Sequence, residues 1–104
     1  MSHSSGIQQI FFDAIDRLTE TECEIWTLDA LSKFESCRLL ELTKILKQDH
    51  DYSYSSVQKA LASLIRKDLA QRISHGIYKA NYFRILWEAM KMLGQLEERS
   101  AEFQ

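Results

Sequence analysis

Apolar residues recur along this chain at helical spacing in five stretches, and at the shorter period of a strand in one. Ile7, Ile10, Phe11, Ala14, Ile15 and Leu18 stand at i, i+3, i+4, i+7, i+8 and i+11. That is one stripe of an amphipathic helix, with Asp13, Asp16 and Arg17 off it. Thr19-Glu20-Thr21-Glu22 has the form of a capping box, in which the Thr19 hydroxyl accepts from the Glu22 amide. It predicts a second helix from there to about Phe34, with Cys23, Trp26, Ala30, Leu31 and Phe34 inward and Ile25 and Leu28 widening that face. Glu35-Ser36-Cys37 reads as a break. Leu39 to about Lys47 then reads as a short helix with Leu39, Leu42, Ile45 and Leu46 inward. Gln48-Asp49-His50-Asp51 is polar and fits a loop. Ser53 suits the N-cap of a fourth helix, in which Val57, Leu61, Leu64 and Ile65 face the core beside Ala60. That helix is expected to end near Lys67-Asp68.

The period changes between Leu69 and Ala80. Ile73 and Ile77-Tyr78 flank Ser74-His75-Gly76, the pattern of a β-hairpin with a Gly-containing turn. From Asn81 the helical period returns with two apolar seams. Tyr82, Ile85, Ala89, Met92 and Leu96 form one; Phe83, Leu86, Trp87, Met90 and Leu93 form the other. A helix apolar on two sides needs two partners. The expected fold class is therefore mainly α with a small β-hairpin: four helices, the hairpin, and a long final helix.

Composition narrows this without changing it. A chain of 104 residues with 45% hydrophobic and 27% charged residues holds one core and one domain. Absence of proline and only three glycines argue against a turn-rich all-β chain. Met1 to Gly6 is small and polar and reads as a disordered tail, in which His3 is assigned no role. No apolar run approaches the ~18 residues of a membrane span, and no secretory leader is visible. A cytoplasmic location with no membrane partner is expected. Cys23 and Cys37 form neither a CxxC pair nor a disulfide framework and read as reduced, buried small hydrophobes.

Charge does change the picture. Residues 44–84 hold eight basic and three acidic side chains, a net of +5; the rest hold five basic and twelve acidic, a net of −7. Such a split suggests a basic face directed at an anionic partner.

The segment from Tyr52 to Arg72, YSYSSVQKALASLIRKDLAQR, resembles the recognition helix of the winged helix-turn-helix domain of small bacterial and archaeal repressors. It has a small polar cluster, a buried Val, Leu at four and seven positions on, then a basic-x-Leu-x-x-Arg exit. Val57, Leu61, Leu64, Lys67, Leu69 and Arg72 fill those places. Leu18 to Trp26 resembles the first-helix opening of the same regulators. The likeness covers about residues 19–80 and points toward the penicillinase-repressor, MarR-like and TrmB-like groups. Asp68 stands where that family often has Gly, and aspartate tolerates the left-handed conformation such a turn needs. The link from Leu46 to Val57 is longer than in the tightest helix-turn-helix proteins. The resemblance implies a winged helix-turn-helix over 19–80, preceded by an added helix over 7–18 and followed by a C-terminal dimerisation helix over 81–104.

It also implies double-stranded DNA binding, as a homodimeric transcriptional repressor. A recognition helix reads base edges with residues near its N-terminus, here Tyr54, Ser55, Ser56, Gln58 and Lys59. Gln pairs bidentately with adenine and Lys donates to guanine. Arg66, Arg72, His75 and Lys79 complete the expected DNA-binding set, with Lys44, Lys47 and Lys67 available to the phosphate backbone. If His75-Gly76 is a two-residue turn, Arg72 faces Lys79 across the strands and Ile73 faces Tyr78 on the inward side. A phosphate between the two cations would relieve their repulsion; a three-residue turn shifts that pairing. Ile7, Phe11, Tyr82, Ile85, Ala89, Met92 and Leu96 are the expected dimer interface. The competing expectation is that the N-terminal helix folds back on the C-terminal helix of its own chain.

An enzyme is not expected. The three histidines are scattered, there is no HExxH or paired Cys/His spacing, and no Gly-rich phosphate loop occurs. Asp49-His50-Asp51 reads as a loop and not a metal site, and no cofactor is implied. The alternative function is a winged helix that binds protein without DNA, favoured by the overall net charge of −2.

Overall fold

The computed structural model describes the backbone of residues 5–102 and the side chains of residues 8–94. Residues 1–4, part of the tail expected to be disordered, lie outside the described residues, as do the side chains of Ile7 and Leu96. The first helix, α1, spans Ser5–Leu18 and so begins inside that tail. It is followed by α2 (Glu22–Ser32), strand β1 (Cys37–Arg38), α3 (Leu39–His50), α4 (Tyr54–Arg66), β2 (Ala70–Ser74), β3 (Ile77–Ala80) and α5 (Tyr82–Glu102). The three strands make one antiparallel sheet in the order β1-β3-β2. None of the described helices is long and apolar enough to cross a membrane.

Helix starts follow local side-chain chemistry. Ser53 caps α4 by accepting from the Ser56 amide, as its position predicts. The cap of α2 is Thr21 and not Thr19: Thr21 Oγ1 accepts from the Glu24 amide at 3.2 Å. Thr19 instead donates its hydroxyl to the Ile15 carbonyl at 2.8 Å and finishes α1. The sequence holds two overlapping T-x-x-E patterns, and the one that caps runs from Thr21 to Glu24, two residues beyond the other. The buried face of α2 is Glu24, Thr27, Leu28, Ala30 and Leu31, with Trp26 packed half-buried beside it, while Phe34 lies beyond the helix and is exposed.

Helices α3 and α4 end alike. Each is followed by an aspartate in the left-handed region, Asp51 at φ 59° and Asp68 at φ 62°. In each case the next residue's amide reaches back into the last turn, Tyr52 to the Leu46 carbonyl and Leu69 to the Leu64 carbonyl. Asp68 thus does what glycine does at such a stop. Asp51 moves the end of α3 to His50, so the expected loop over 48–51 is the last turn of a helix. There the His50 ring stacks on Trp26, with centroids 4.5 Å apart.

One core joins all the layers. Ile15 of α1, Leu28 and Leu31 of α2, Leu42 and Leu46 of α3, Val57, Leu61 and Leu64 of α4, and Ile85 of α5 are buried together. Ile65, expected inward, is exposed, and Ser63 takes the buried place on α4. The first turn of α2 sits astride α4. The Cys23 thiol donates to the Ser56 carbonyl at 3.6 Å, and Lys67 Nζ lies 2.7 Å from Glu24 and 3.3 Å from Glu20. Burial raises the Cys23 and Cys37 thiol pKa values, with Glu24 and Glu41 adding to the effect. Both thiols are free.

Helix α5 packs on α1, the arrangement the sequence offered as the alternative to a shared dimer seam. Ile85 and Ala89 are buried, and Phe11, Tyr82 and Met92 pack against the same core. The Tyr82 hydroxyl donates to the Ser32 and Phe34 carbonyls of its own chain. Of the described residues expected to form a dimer interface, Ile85 and Ala89 are thus buried inside the protomer, and Phe11, Tyr82 and Met92 are half-buried there. Glu88, on the same inner stripe, is buried and meets Arg17 of α1 at 3.3 Å, with Lys91 and Arg84 at 3.3 and 3.7 Å. Asn81 sets the start of α5: its amide donates to the Leu69 carbonyl, its side-chain amide to the Asp68 carbonyl, and its oxygen accepts from the Arg84 amide.

The Glu24–Lys67 pair makes stability pH-dependent. Burial pushes the Glu24 carboxyl up, but Lys67, the Glu20 amide and Ser63 together hold it below the usual carboxylate range. Burial likewise pushes Lys67 down, and the two glutamates more than reverse this. Glu24, with a depressed folded value, contributes stability that is complete above the unfolded carboxyl pKa of about 4.3 and is lost as pH falls through the folded one. Lys67, with a raised value, contributes below about pH 10.4 and loses it as pH rises further. Glu24→Gln is expected to cost about 1–3 kcal/mol at neutral pH. Urea midpoints measured against pH should show that difference flat from about pH 6 to about pH 9 and shrinking below about pH 4.

Candidate nucleic-acid interface

The groove-facing residues expected on α4 stand where its amphipathic pattern puts them. Val57, Leu61 and Leu64 are buried against α2 and the core, which turns Tyr54, Ser55, Gln58 and Lys59 outward, and all four are exposed. Ser56 differs. It is half-buried, its carbonyl accepts the Cys23 thiol, and its hydroxyl accepts from Ser53 at 2.9 Å. Ser56 is part of the helix cap and its anchor to α2, and it does not project with the other four.

The hairpin brings a second set of groups to the same end of α4. Arg38, Leu39, Leu40, Tyr54, His75, Gly76 and Ile77 line one open groove of about 500 Å³. It joins the head of α3, the head of α4 and the hairpin turn, and its lining contains no carboxylate. The Leu39 amide donates to the Gly76 carbonyl at 2.9 Å and fixes the turn against α3. Gly76 has φ +74°, which the tight turn requires and which side chains resist.

Arg38 is the functional candidate that the sequence pattern did not reveal. It belongs to a two-residue strand, too short to show a period, beside the segment that reads as a break. It also lies outside the 44–84 segment that carries the basic excess. Its one visible signal is a cation immediately before the apolar start of a helix.

The hairpin register overturns one expected pairing. The turn is the two residues His75-Gly76, with Ser74 opposite Ile77, but a bulge at Ile73 shifts the strands. Arg72 therefore faces Tyr78, and Lys79 faces Gln71. Successive pairs point to opposite faces of a hairpin, so Arg72 and Lys79 are not neighbours across the strands. Ile73, the bulged residue, is exposed and not inward. A bulge leaves one residue without a cross-strand partner and bends its strand. Arg72 Nη2 lies 3.0 Å from His75 Nδ1. Arginine only donates, so that nitrogen of His75 is the acceptor in this contact.

Two other expected DNA-facing residues are placed elsewhere. Arg66 is in the last turn of α4, twelve residues and about 18 Å along the helix from Tyr54. Lys67 is committed to Glu24 and Glu20. The cations at the groove are thus Arg38, in its lining, and Arg72, beside His75, while Lys59 stands exposed on α4. Among the described residues, no group of three His, Cys, Asp or Glu side chains stands close enough to hold a metal ion.

Comparison of this chain with protein-family models, with curated proteins and with solved structures finds no match, so its candidate site rests on its own geometry.

Proposed function

We propose that this chain binds double-stranded DNA as a winged helix-turn-helix regulator, with α4 in the major groove and the β2–β3 hairpin along the sugar–phosphate backbone. The observation that carries this reading is the meeting of Tyr54, at the head of α4, with Arg38 and His75 in one groove whose lining holds no carboxylate, with Arg72 beside His75. The order α2-β1-α3-α4-β2-β3, with β3 between β1 and β2, supports it, since a helix pair followed by a hairpin is the order such a regulator requires. An α-helix fits the major groove and reads base edges from its N-terminal turns. Gln58 and Lys59 lie there, with an amide that pairs with adenine and an ammonium that donates to guanine. Arg38, in the groove at the head of α4, and Arg72, beside His75, serve phosphates, which fix register without reading sequence. A protein of this kind acts by occupancy, as a repressor that blocks other proteins from the same duplex, and without catalysis.

Replacing Gln58 and Lys59 together by Ala is expected to abolish base preference while leaving the melting temperature within about 1 °C, because both side chains are exposed. Removing either side chain's hydrogen bonds to a base is expected to cost about 1–3 kcal/mol of discrimination. The check is duplex selection from a random pool at low salt, followed by mobility shift on the enriched and a scrambled sequence. Equal preference in wild type and variant removes α4 from the major groove.

Arg38→Ala and Arg72→Ala are expected to weaken enriched and scrambled duplexes alike. Each should lower the slope of log K against log salt by about one. Lys79→Ala, on the other face of the hairpin, is expected to leave the slope nearly unchanged. Fluorescence anisotropy over a salt series measures all three.

A further inference from the structure

A second cleft, of about 220 Å³, lies between the later turns of α2 and the later turns of α3. It is at the far end of α3 from Leu39 and Leu40, and it shares no residue with the groove at the head of α4. The sequence makes this space. Trp26, Ala30 and Phe34 follow one another at intervals of four, large, small, large, and all three line the cleft. Ala30 offers a methyl group where its neighbours offer rings, which leaves a notch floored by Ala30 and by Leu46 of α3, both buried. The Trp26 wall is held from two sides. Its ring centroid is 5.5 Å from that of Phe12 on α1 and 4.5 Å from that of His50 on α3. A wall already fixed in place needs no further ordering when a ligand arrives.

The same cleft is acidic. Asp29 of α2 and Asp49 of α3 both line it, and Lys33 is the only lysine or arginine that does. Lys33 lies 3.4 Å from Asp29, four residues before it on the same helix. That lysine is 69% exposed, and an exposed pair of this kind holds weakly, so its ammonium gives way to another cation without much loss. Asp49 makes no hydrogen bond or ion pair among the described residues. The lining therefore holds one carboxylate more than it has ammonium groups to match, next to an apolar notch.

We propose that this cleft binds a small organic ammonium ion, a primary amine on a short apolar body. The body fills the notch between Trp26 and Phe34, and the ammonium donates to Asp29 and Asp49, with Lys33 turning to solvent. The volume falls below the ~300–1,000 Å³ of sites for drug-sized ligands, so it suits a ligand with one ring and a short arm. The unmatched carboxylate selects against an anion of the same shape. The apolar notch selects against an ammonium ion without a body, which keeps more of its hydration in water than at a half-exposed carboxylate.

The proposal rests on no contact with DNA and is tested on the protein alone. The chain has two tryptophans, and Trp87 is exposed on α5, outside the cleft. The Trp87→Phe variant of the full chain thus leaves Trp26 as the only reporter. Phenethylammonium is expected to change its emission saturably, with half-saturation at about 0.1–1 mM. 3-Phenylpropionate, with the same ring and a carboxylate in place of the ammonium, is expected to bind at least about 30-fold more weakly. Asp49→Asn in the same background is expected to weaken phenethylammonium about 10-fold. Asp49 is exposed and tied to nothing, so this variant keeps the melting temperature of its parent. Ala30→Met, which fills the notch, is expected to abolish binding, and its melting curve reports whether the fold survives. No saturable change up to about 20 mM phenethylammonium overturns the site. Equal affinity for the two phenyl ligands, or an Asp49→Asn titration that superimposes on its parent, overturns the role of the carboxylates. Methylammonium binding as tightly as phenethylammonium overturns the role of the notch.

Discussion

The packing of one face of α4 under α2 governs the geometry of most of the molecule. Val57, Leu61 and Leu64 leave water completely or nearly so, and each such side chain contributes about 1.5–3 kcal/mol. With that stripe inward, the helix has no freedom to rotate, and Gln58 and Lys59 are forced outward. Two polar ties reinforce the packing. Cys23 donates to the Ser56 carbonyl near the head of α4, and Glu24 takes the Lys67 ammonium just past its end. Both come from neighbouring residues in the first turn of α2, so α4 is held on either side of the crossing point. A carboxylate this buried is tolerated because an ammonium and hydrogen-bond donors surround it.

The geometry of the groove rim follows from how α4 stops. A left-handed aspartate at position 68 ends the helix, and the Asn81 amide and side chain then bond the Leu69 and Asp68 carbonyls. Those bonds bind the exit of the hairpin to its origin. The two strands must run out and back from that point, with β3 held between β2 and the short β1. The turn lands beside the heads of α3 and α4, where Leu39 bonds to Gly76. The bulge at Ile73 then decides which cation joins the rim. By displacing one residue, it leaves Arg72 beside His75 and turns Lys79 to the other face.

The two sides of α5 have different fates for a simple reason. A helix of this core can be covered once from within, and α1 covers the side carrying Ile85 and Ala89. Glu88 on that side forms a cross-helix tie to Arg17, and its own-helix neighbours Arg84 and Lys91 supply further positive charge. No other described helix lies against the side carrying Phe83, Trp87 and Met90. Sequence periodicity shows two apolar seams on this helix and cannot rank them, because both satisfy the same spacing rule.

The series of helices, the hairpin, the cap at Ser53 and the outward face of α4 are all written in the chain itself. Each of these is local, carried by periodicity or by a side chain that bonds its own backbone within a few residues. The cap of α2 is legible in kind but ambiguous in place, since Thr19 and Thr21 both precede a glutamate at the required distance. Other features exist only through contacts between elements. β1 is too short to have a period and forms because β3 passes beside it. His50 belongs to a helix because Asp51 closes it in a left-handed turn, which polarity alone does not show. The bulge at Ile73 depends on cross-strand pairing, so that pairing is what separates Arg72 from Lys79. Which α5 seam is covered depends on where α1 comes to rest, a contact between elements more than sixty residues apart. No rule of local spacing reaches that far.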